Sequence, residues 1–244
     1  MIKFFRQIRQ NLLMENKTGK YLKYAIGEIV LVVIGILIAL SINNLNEKRK
    51  DKNKLLNIYS LIYDDIENDI QDLINNLEFF NQKKSVFEKV VHDSITPDLL
   101  DEGISRLLVL GGNRGTTLNT TGVNQLRELQ NKDSLTLKLI GIYDVMETIM
   151  LTTENRISNE TKDHAEYLRD NYDWYPEWIY NTIMRDVGSK ELHDYFLTSP
   201  IYRNRVVSVY QQVYNNYTTI LNTAIKRLTE LQKELRSVLD KTNK

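Results

Sequence analysis

From Ala25 to Ile42 the chain reads AIGEIVLVVIGILIALSI, with Glu28 as its one charge. At 1.5 Å per residue a helix of this length spans about 27 Å, close to the hydrocarbon thickness of a bilayer. The run has no polar face, so a soluble bundle would have to bury it on every side. Tyr21 and Tyr24 stand at one edge, where aromatic rings mark a membrane interface, and Asn43, Asn44 and Asn46 stand at the other. The expectation is a transmembrane helix over 24–43. Ala39-Leu40-Ser41 would also suit a signal peptidase, but the basic segment ahead of the run is longer than a signal sequence needs, so an uncleaved anchor is preferred.

Charge supports this division. Residues 1–24 carry Lys3, Arg6, Arg9, Lys17, Lys20 and Lys23 against Glu15, while the whole chain has 32 basic and 32 acidic residues. A basic head on a mildly acidic body points to an anionic bilayer surface as partner of the head, and away from nucleic acid as partner of the body. Met1, Phe5, Ile8 and Leu12 share a helical face opposite Lys3, Arg6 and Arg9, the layout of a helix lying in the interface. Segment 1–23 is therefore expected to be a basic amphipathic lead-in. Lys48, Arg49, Lys50, Lys52 and Lys54 follow the span, so the basic flanks nearly balance. The first flank usually dominates, which places the N-terminus in the cytoplasm and the domain 44–244 outside it. Gly35 and Ala39 form a small-xxx-small pair suited to close helix approach, and Glu28 is an acid within the span. These three are the membrane and assembly candidates.

Beyond the span, three prolines and ten glycines in 244 residues are too few for a strand-and-turn architecture. The apolar positions Leu55, Tyr59, Ile62, Ile66, Ile70, Leu73, Leu77, Phe80, Phe87 and Val91 recur at a 3.6-residue period and predict one helix from about 47 to 92, continuous with the span and stopped by Thr96-Pro97. Further helices are expected at about 98–110, 120–131, 134–170, 177–186 and 189–197, with a long last one from Ser199-Pro200. The fold class is all-α: an interfacial helix, one transmembrane helix, then an elongated antiparallel helical bundle. The first and last long helices of the body pack antiparallel, with 134–170 in the groove between them. That sets Ile66 or Ile70 against Ile220–Leu228 and Val91 near Tyr202.

The opening MIKFFRQIRQNLL and the stretch KYLKYAIGEIVLVVIGILIALSINNLNEKRK resemble the N-terminus of an uncharacterised family of single-pass membrane proteins common in Bacteroidota. TTLNTTGVNQLRELQNKDSL and SPIYRNRVVSVYQQVYNNY resemble that family's body, and Leu45 stands where the family usually has Trp. The resemblance implies a bacterial inner-membrane protein with an uncleaved anchor, and it brings no activity.

Chemistry is sparse. Cysteine is absent, which removes disulfides, thiolate nucleophiles and Cys-ligated metals. His92, His164 and His193 have no metal-ligand spacing. Asp64, Asp65, Glu67, Asp69 and Asp72 read as a solvated helix face. Gly111–Gly122 lacks the preceding strand and the Gly-Lys-Ser/Thr ending of a phosphate loop, and reads as a helix connection. No catalytic, cofactor or metal residues are expected. Among Tyr167, Tyr172, Trp174, Tyr175, Trp178 and Tyr180, the aromatic binding candidates are Trp174, Tyr175 and Trp178, because rings can fill a partner's pocket or close the end of a bundle. The expected function is a membrane-anchored interaction or assembly module with no catalysis, its partner a second copy or a membrane or periplasmic protein. The alternative is an extracytoplasmic ligand-sensing bundle acting through a partner.

Overall fold

In the computed structural model, residues 18–112, 115–184 and 188–242 are described. The interfacial helix expected over 1–13 lies outside them. All regular structure among the described residues is helical: α1 (Thr18–Asn81), α2 (Lys84–Val91), α3 (Leu107–Gly112), α4 (Thr121–Arg127), α5 (Ser134–Asn171), α6 (Tyr175–Met184), α7 (Lys190–Thr198), α8 (Pro200–Tyr210) and α9 (Thr218–Thr242). Short 3-10 turns precede α3, and a π-helical segment, Gln211–Tyr217, joins α8 to α9.

The chain divides into two compact units, 1–56 and 57–244. In the first, α1 presents Ile29 through Ile42 with every large apolar side chain exposed. This is a helix near the N-terminus, long and apolar enough to cross a membrane, with none of its apolar stretch covered by protein.

The second unit is a bundle whose register can be followed from its hydrogen bonds. Tyr59 Oη donates to Asp133 at 2.7 Å and lies 2.9 Å from the Thr136 hydroxyl, and Tyr143 Oη donates to Asp69 at 2.9 Å. Numbers rise together on α1 and α5, so these helices run parallel. Tyr214 Oη donates to the Phe80 carbonyl at 2.9 Å, Tyr210 Oη to Glu88 at 3.3 Å, and the Arg203 guanidinium to the Val91 carbonyl at 3.3 Å. Here numbers rise on one side and fall on the other. The last helices therefore run antiparallel to α1 and α2, and Val91 sits beside the start of α8 as expected. Ser208 Oγ donates to Glu160 at 2.9 Å, and Lys138 pairs with Glu234, which sets α5 antiparallel to α8 and α9 as well.

The helix expected to reach residue 92 is broken instead at Gln82–Lys83. No apolar residue holds that turn, and its amides bond back to Glu78 and Phe80 at 3.0 Å. The break lets α2 bury Val86, Phe87 and Val90 separately. α2 then ends before Pro97 is reached. Asp93 takes a left-handed φ of 61°, and the amides of Asp93 and Ser94 reach back to Val90 and Lys89, a Schellman closure. Arg203 pairs with the Asp93 carboxylate at 2.9 Å. The segment expected as a helix over 98–110 is two 3-10 turns followed by α3. Caps fix the starts of α5 and α8. Asp133 accepts the Thr136 amide at 2.7 Å, and Ser199 accepts the Tyr202 amide at 3.3 Å with Pro200 in the first turn of α8.

Where α4 meets α1 the approach is close. A Cβ on Gly122 would fall 2.4 Å from Cγ1 of Ile62, which is fully buried. Gly122→Ala should cost about 1–3 kcal/mol through overpacking, read as a lowered Tm of the detergent-solubilised chain. An unchanged Tm would mean that α4 is not seated there.

Candidate interaction surface and buried polar seam

The buried side of α1 is not the apolar stripe that its sequence suggests. Ile62, Ile66, Asp69, Leu73, Asn76 and Phe80 are all buried, at alternating steps of four and three, while Ile70 and Leu77 are only half-buried. Two polar side chains thus occupy core positions, and Asp65 is buried beside them. Asp64, Glu67 and Asp72 do lie on a solvated face, but Asp65 and Asp69 do not.

Buried polar groups must find partners. Besides Tyr143 on Asp69 and Tyr217 near Asn76, those of Asp65, Asp69 and Asn76 come from the connection after α3. The Asn119 amide donates to Asp69 Oδ1 at 2.8 Å, and Asn119 Nδ2 to Asp65 Oδ1 at 2.6 Å. Asn76 Nδ2 donates to Thr116 Oγ1 at 2.5 Å, and the Thr116 amide donates to Glu154 on α5 at 2.8 Å. The hydroxyls of Thr116 and Tyr217 lie 3.2 Å apart, and Tyr217 Oη also donates to Glu154. Residues 115–120 are therefore a strap sewn to α1, α5 and the π-helical segment, with Leu118 buried beneath it. A π turn inserts an extra residue and often marks a functional position. Here it contributes Tyr217 to the seam.

Burial pushes the Asp69 carboxyl up to about 6, against the opposing hydrogen bonds from Asn119 and Tyr143. Burial raises Asp65 too, with the Gly122 amide and Asn119 opposing and Asp64 adding to the rise. Asp65 Oδ2 has no hydrogen-bond donor among the described residues.

A second feature lies between α5 and α9. Gly141, Ile142, Val145 and Ile149 on α5 face Ile220 and Ala224 on α9 across a groove of about 540 Å³. Thr219, Thr223 and Met146 line it as well, and Arg227 contributes the one charged side chain of the lining. Val145 is 57% exposed and Ile149 44%. Gly141 sits within α5, where a Cβ would meet nothing within 4 Å. A mid-helix glycine is about 1 kcal/mol less favourable than alanine, and nothing inside the fold requires one here.

The residues singled out from sequence fall in two places. Glu28, Gly35 and Ala39 all lie on the exposed first part of α1, and a Cβ on Gly35 would meet nothing within 4 Å. Trp174 and Tyr175 lie at the start of α6, half-exposed. Trp178 is buried, its indole N–H donating to the Ser105 carbonyl at 2.9 Å, so it closes the fold beneath them. Trp174 stacks on Tyr172 at 4.6 Å and adjoins Tyr195 at 5.4 Å. Inside this cluster His164 is buried, its ring 5.8 Å from that of Trp178 and 5.5 Å from that of Tyr202. The seam and the groove were not singled out from sequence. The one available signal was the polar pair Asp69 and Asn76, set seven residues apart within the apolar repeat.

Among the described residues no group of three or more His, Asp or Glu side chains is arranged to hold a metal. No curated protein and no solved structure matches the chain. Over residues 28–107, from within the apolar span to the start of α3, the chain is similar to a family of unknown function, DUF6090.

Proposed function

We propose that this chain is a membrane-anchored, non-catalytic interaction module whose body docks a helix of a protein partner in the α5–α9 groove. The supporting observation is the groove itself: Val145 and Ile149 of α5 stand exposed across from half-buried Ile220 and buried Ala224 of the antiparallel α9, beside Gly141, where a Cβ would meet nothing within 4 Å. A third helix suits the trough between two others, and a glycine on its floor permits close backbone approach. The reading also holds that α1 crosses the inner membrane of a bacterium once, with the N-terminus cytoplasmic and 44–244 periplasmic. A reporter active only outside the cytoplasm, fused after Lys244, is expected to be active; cytoplasmic activity would reverse the orientation. Gly35→Leu is expected to weaken association through the span, because a bulky side chain blocks close approach. Unchanged cross-linking would remove Gly35 from that interface.

For the groove, a photo-cross-linking residue at position 145 in the full-length membrane protein should give a discrete adduct. Gly141→Leu should reduce that adduct at least about tenfold without lowering Tm, since leucine is the better helix former and has open space there. An adduct at twice the chain mass would identify a second copy. No adduct, or one that Gly141→Leu leaves unchanged, would remove the groove as a docking site. The second reading, a ligand-sensing bundle, is favoured by Arg227 on an otherwise uncharged groove, the chemistry of an anionic amphiphile. A co-purifying small molecule lost on Arg227→Gln would support it.

A further inference from the structure

The strap is held to α1 by two buried carboxylates that no cation balances. Asp65 and Asp69 lie one helical turn apart, 6% and 3% exposed, and among the described residues no ion pair reaches either. The groups facing them are few. On α1 these are Asp64 and Asp72, both acidic. The strap offers Asn119, α4 the Gly122 amide, and α5 the Tyr143 hydroxyl, all uncharged donors. One of the four carboxylate oxygens, Asp65 Oδ2, is buried and completes no hydrogen bond among the described residues, the nearby Gly122 amide giving Asp65 only partial relief. Two charges so placed repel each other in a region of low dielectric, and a proton bound by the pair removes that repulsion.

We propose that Asp65 and Asp69 form a proton-held latch, retaining a proton while the strap is closed and releasing it when the strap lifts into water. The linkage has a definite direction. A carboxylate freed by strap opening returns towards 3.8, whereas the closed Asp69 stands at about 6. The closed state thus binds protons more readily, so acid tightens the strap and rising pH loosens it. Opening would uncover Leu118 and the acceptors of the seam. Any partner that must displace the strap is then helped by neutral or alkaline conditions. The chemistry needs no ligand, only a proton taken from or given to solvent.

Hydrogen exchange at the Asn119 amide, the donor to Asp69, reads this opening directly. In the full-length chain, after correction for the intrinsic exchange rate, protection is expected to fall about tenfold between pH 5 and pH 7.5. Asp69→Asn should flatten most of that dependence and Asp65→Asn should reduce it. Asparagine keeps the size and, like the protonated acid, offers one acceptor oxygen and one donor group. Should Asp69→Asn fail to fold, the native profile together with Asp65→Asn decides the matter. Protection that is flat or rises with pH in the native chain overturns the latch. So does a tenfold dependence surviving in a folded Asp69→Asn variant.

Discussion

Ile66→Ala is expected to destabilise the bundle by about 2–5 kcal/mol, and Ile70→Ala by only about 1 kcal/mol. Ile66 has no exposed surface, so truncation removes three carbons from contact and leaves a cavity that fixed neighbours cannot fill. Ile70 is half-buried, so water can replace what it loses. The two sit four residues apart and look alike in sequence. Their difference follows from the heptad spacing of the buried side, in which Asp69 rather than Ile70 follows Ile66 inward. Chemical denaturation of both variants in the same detergent measures it. Equal losses, or a larger loss at Ile70, would mean that α1 is rotated about its axis and that the polar seam is not buried.

That comparison also marks how far the sequence could be read. The helix content, the start of α5 at Ser134, the start of α8 at Pro200 and the antiparallel path of the last helices rest on apolar period, Pro placement and Ser or Asp caps, all of which are local signals. Three misreadings had one cause in common. A stripe through Ile70 and Leu77 follows from their being apolar, a solvent position for Asp65 and Asp69 from their being acidic, and one helix over 47–92 from the continuing apolar count. Each assumes that a residue's polarity fixes its side. Asp69 and Asn76 face inward because residues 115–120, distant in sequence, bring a donor to Asp69 and an acceptor to Asn76, and periodicity carries no trace of a partner that far along the chain. The break at Gln82–Lys83 is likewise tertiary, since α2 turns to meet α8. The groove was hidden for a related reason. Val145 and Ile149 look like core residues of α5, and only the packed bundle reveals that the described residues leave them exposed.

His164→Leu is expected to make the bundle markedly more resistant to acid. The imidazole is 1% exposed among Trp178, Tyr195, Phe196 and Tyr202, and neither ring nitrogen has a hydrogen-bond partner among the described residues. Burial pushes its pKa from the ordinary 6.5 down to about 3, with the nearby Arg205 charge adding to the fall. A histidine depressed in this way stays neutral in the folded state while the unfolded chain takes up a proton. Its contribution is therefore intact above pH 6.5 and is lost as pH falls towards 3. Each pH unit within that window is worth about 1.4 kcal/mol, so the native chain should lose close to 3 kcal/mol from this residue by pH 4.5. Asp69 works in the opposite direction over part of the same range, because its raised carboxyl favours the folded state as acid is added. Leucine at 164 matches the ring in bulk, removes both unpartnered nitrogens, and should leave stability at pH 7.5 unchanged or slightly higher. Without the histidine, the Asp69 contribution is left exposed, and Tm should hold or rise between pH 6 and pH 4.5 where the native chain declines. Thermal melts of both full-length proteins at pH 7.5, 6.0 and 4.5 test this. A variant that declines as steeply as the native chain would mean that His164 reaches water and that the aromatic cluster is not closed around it.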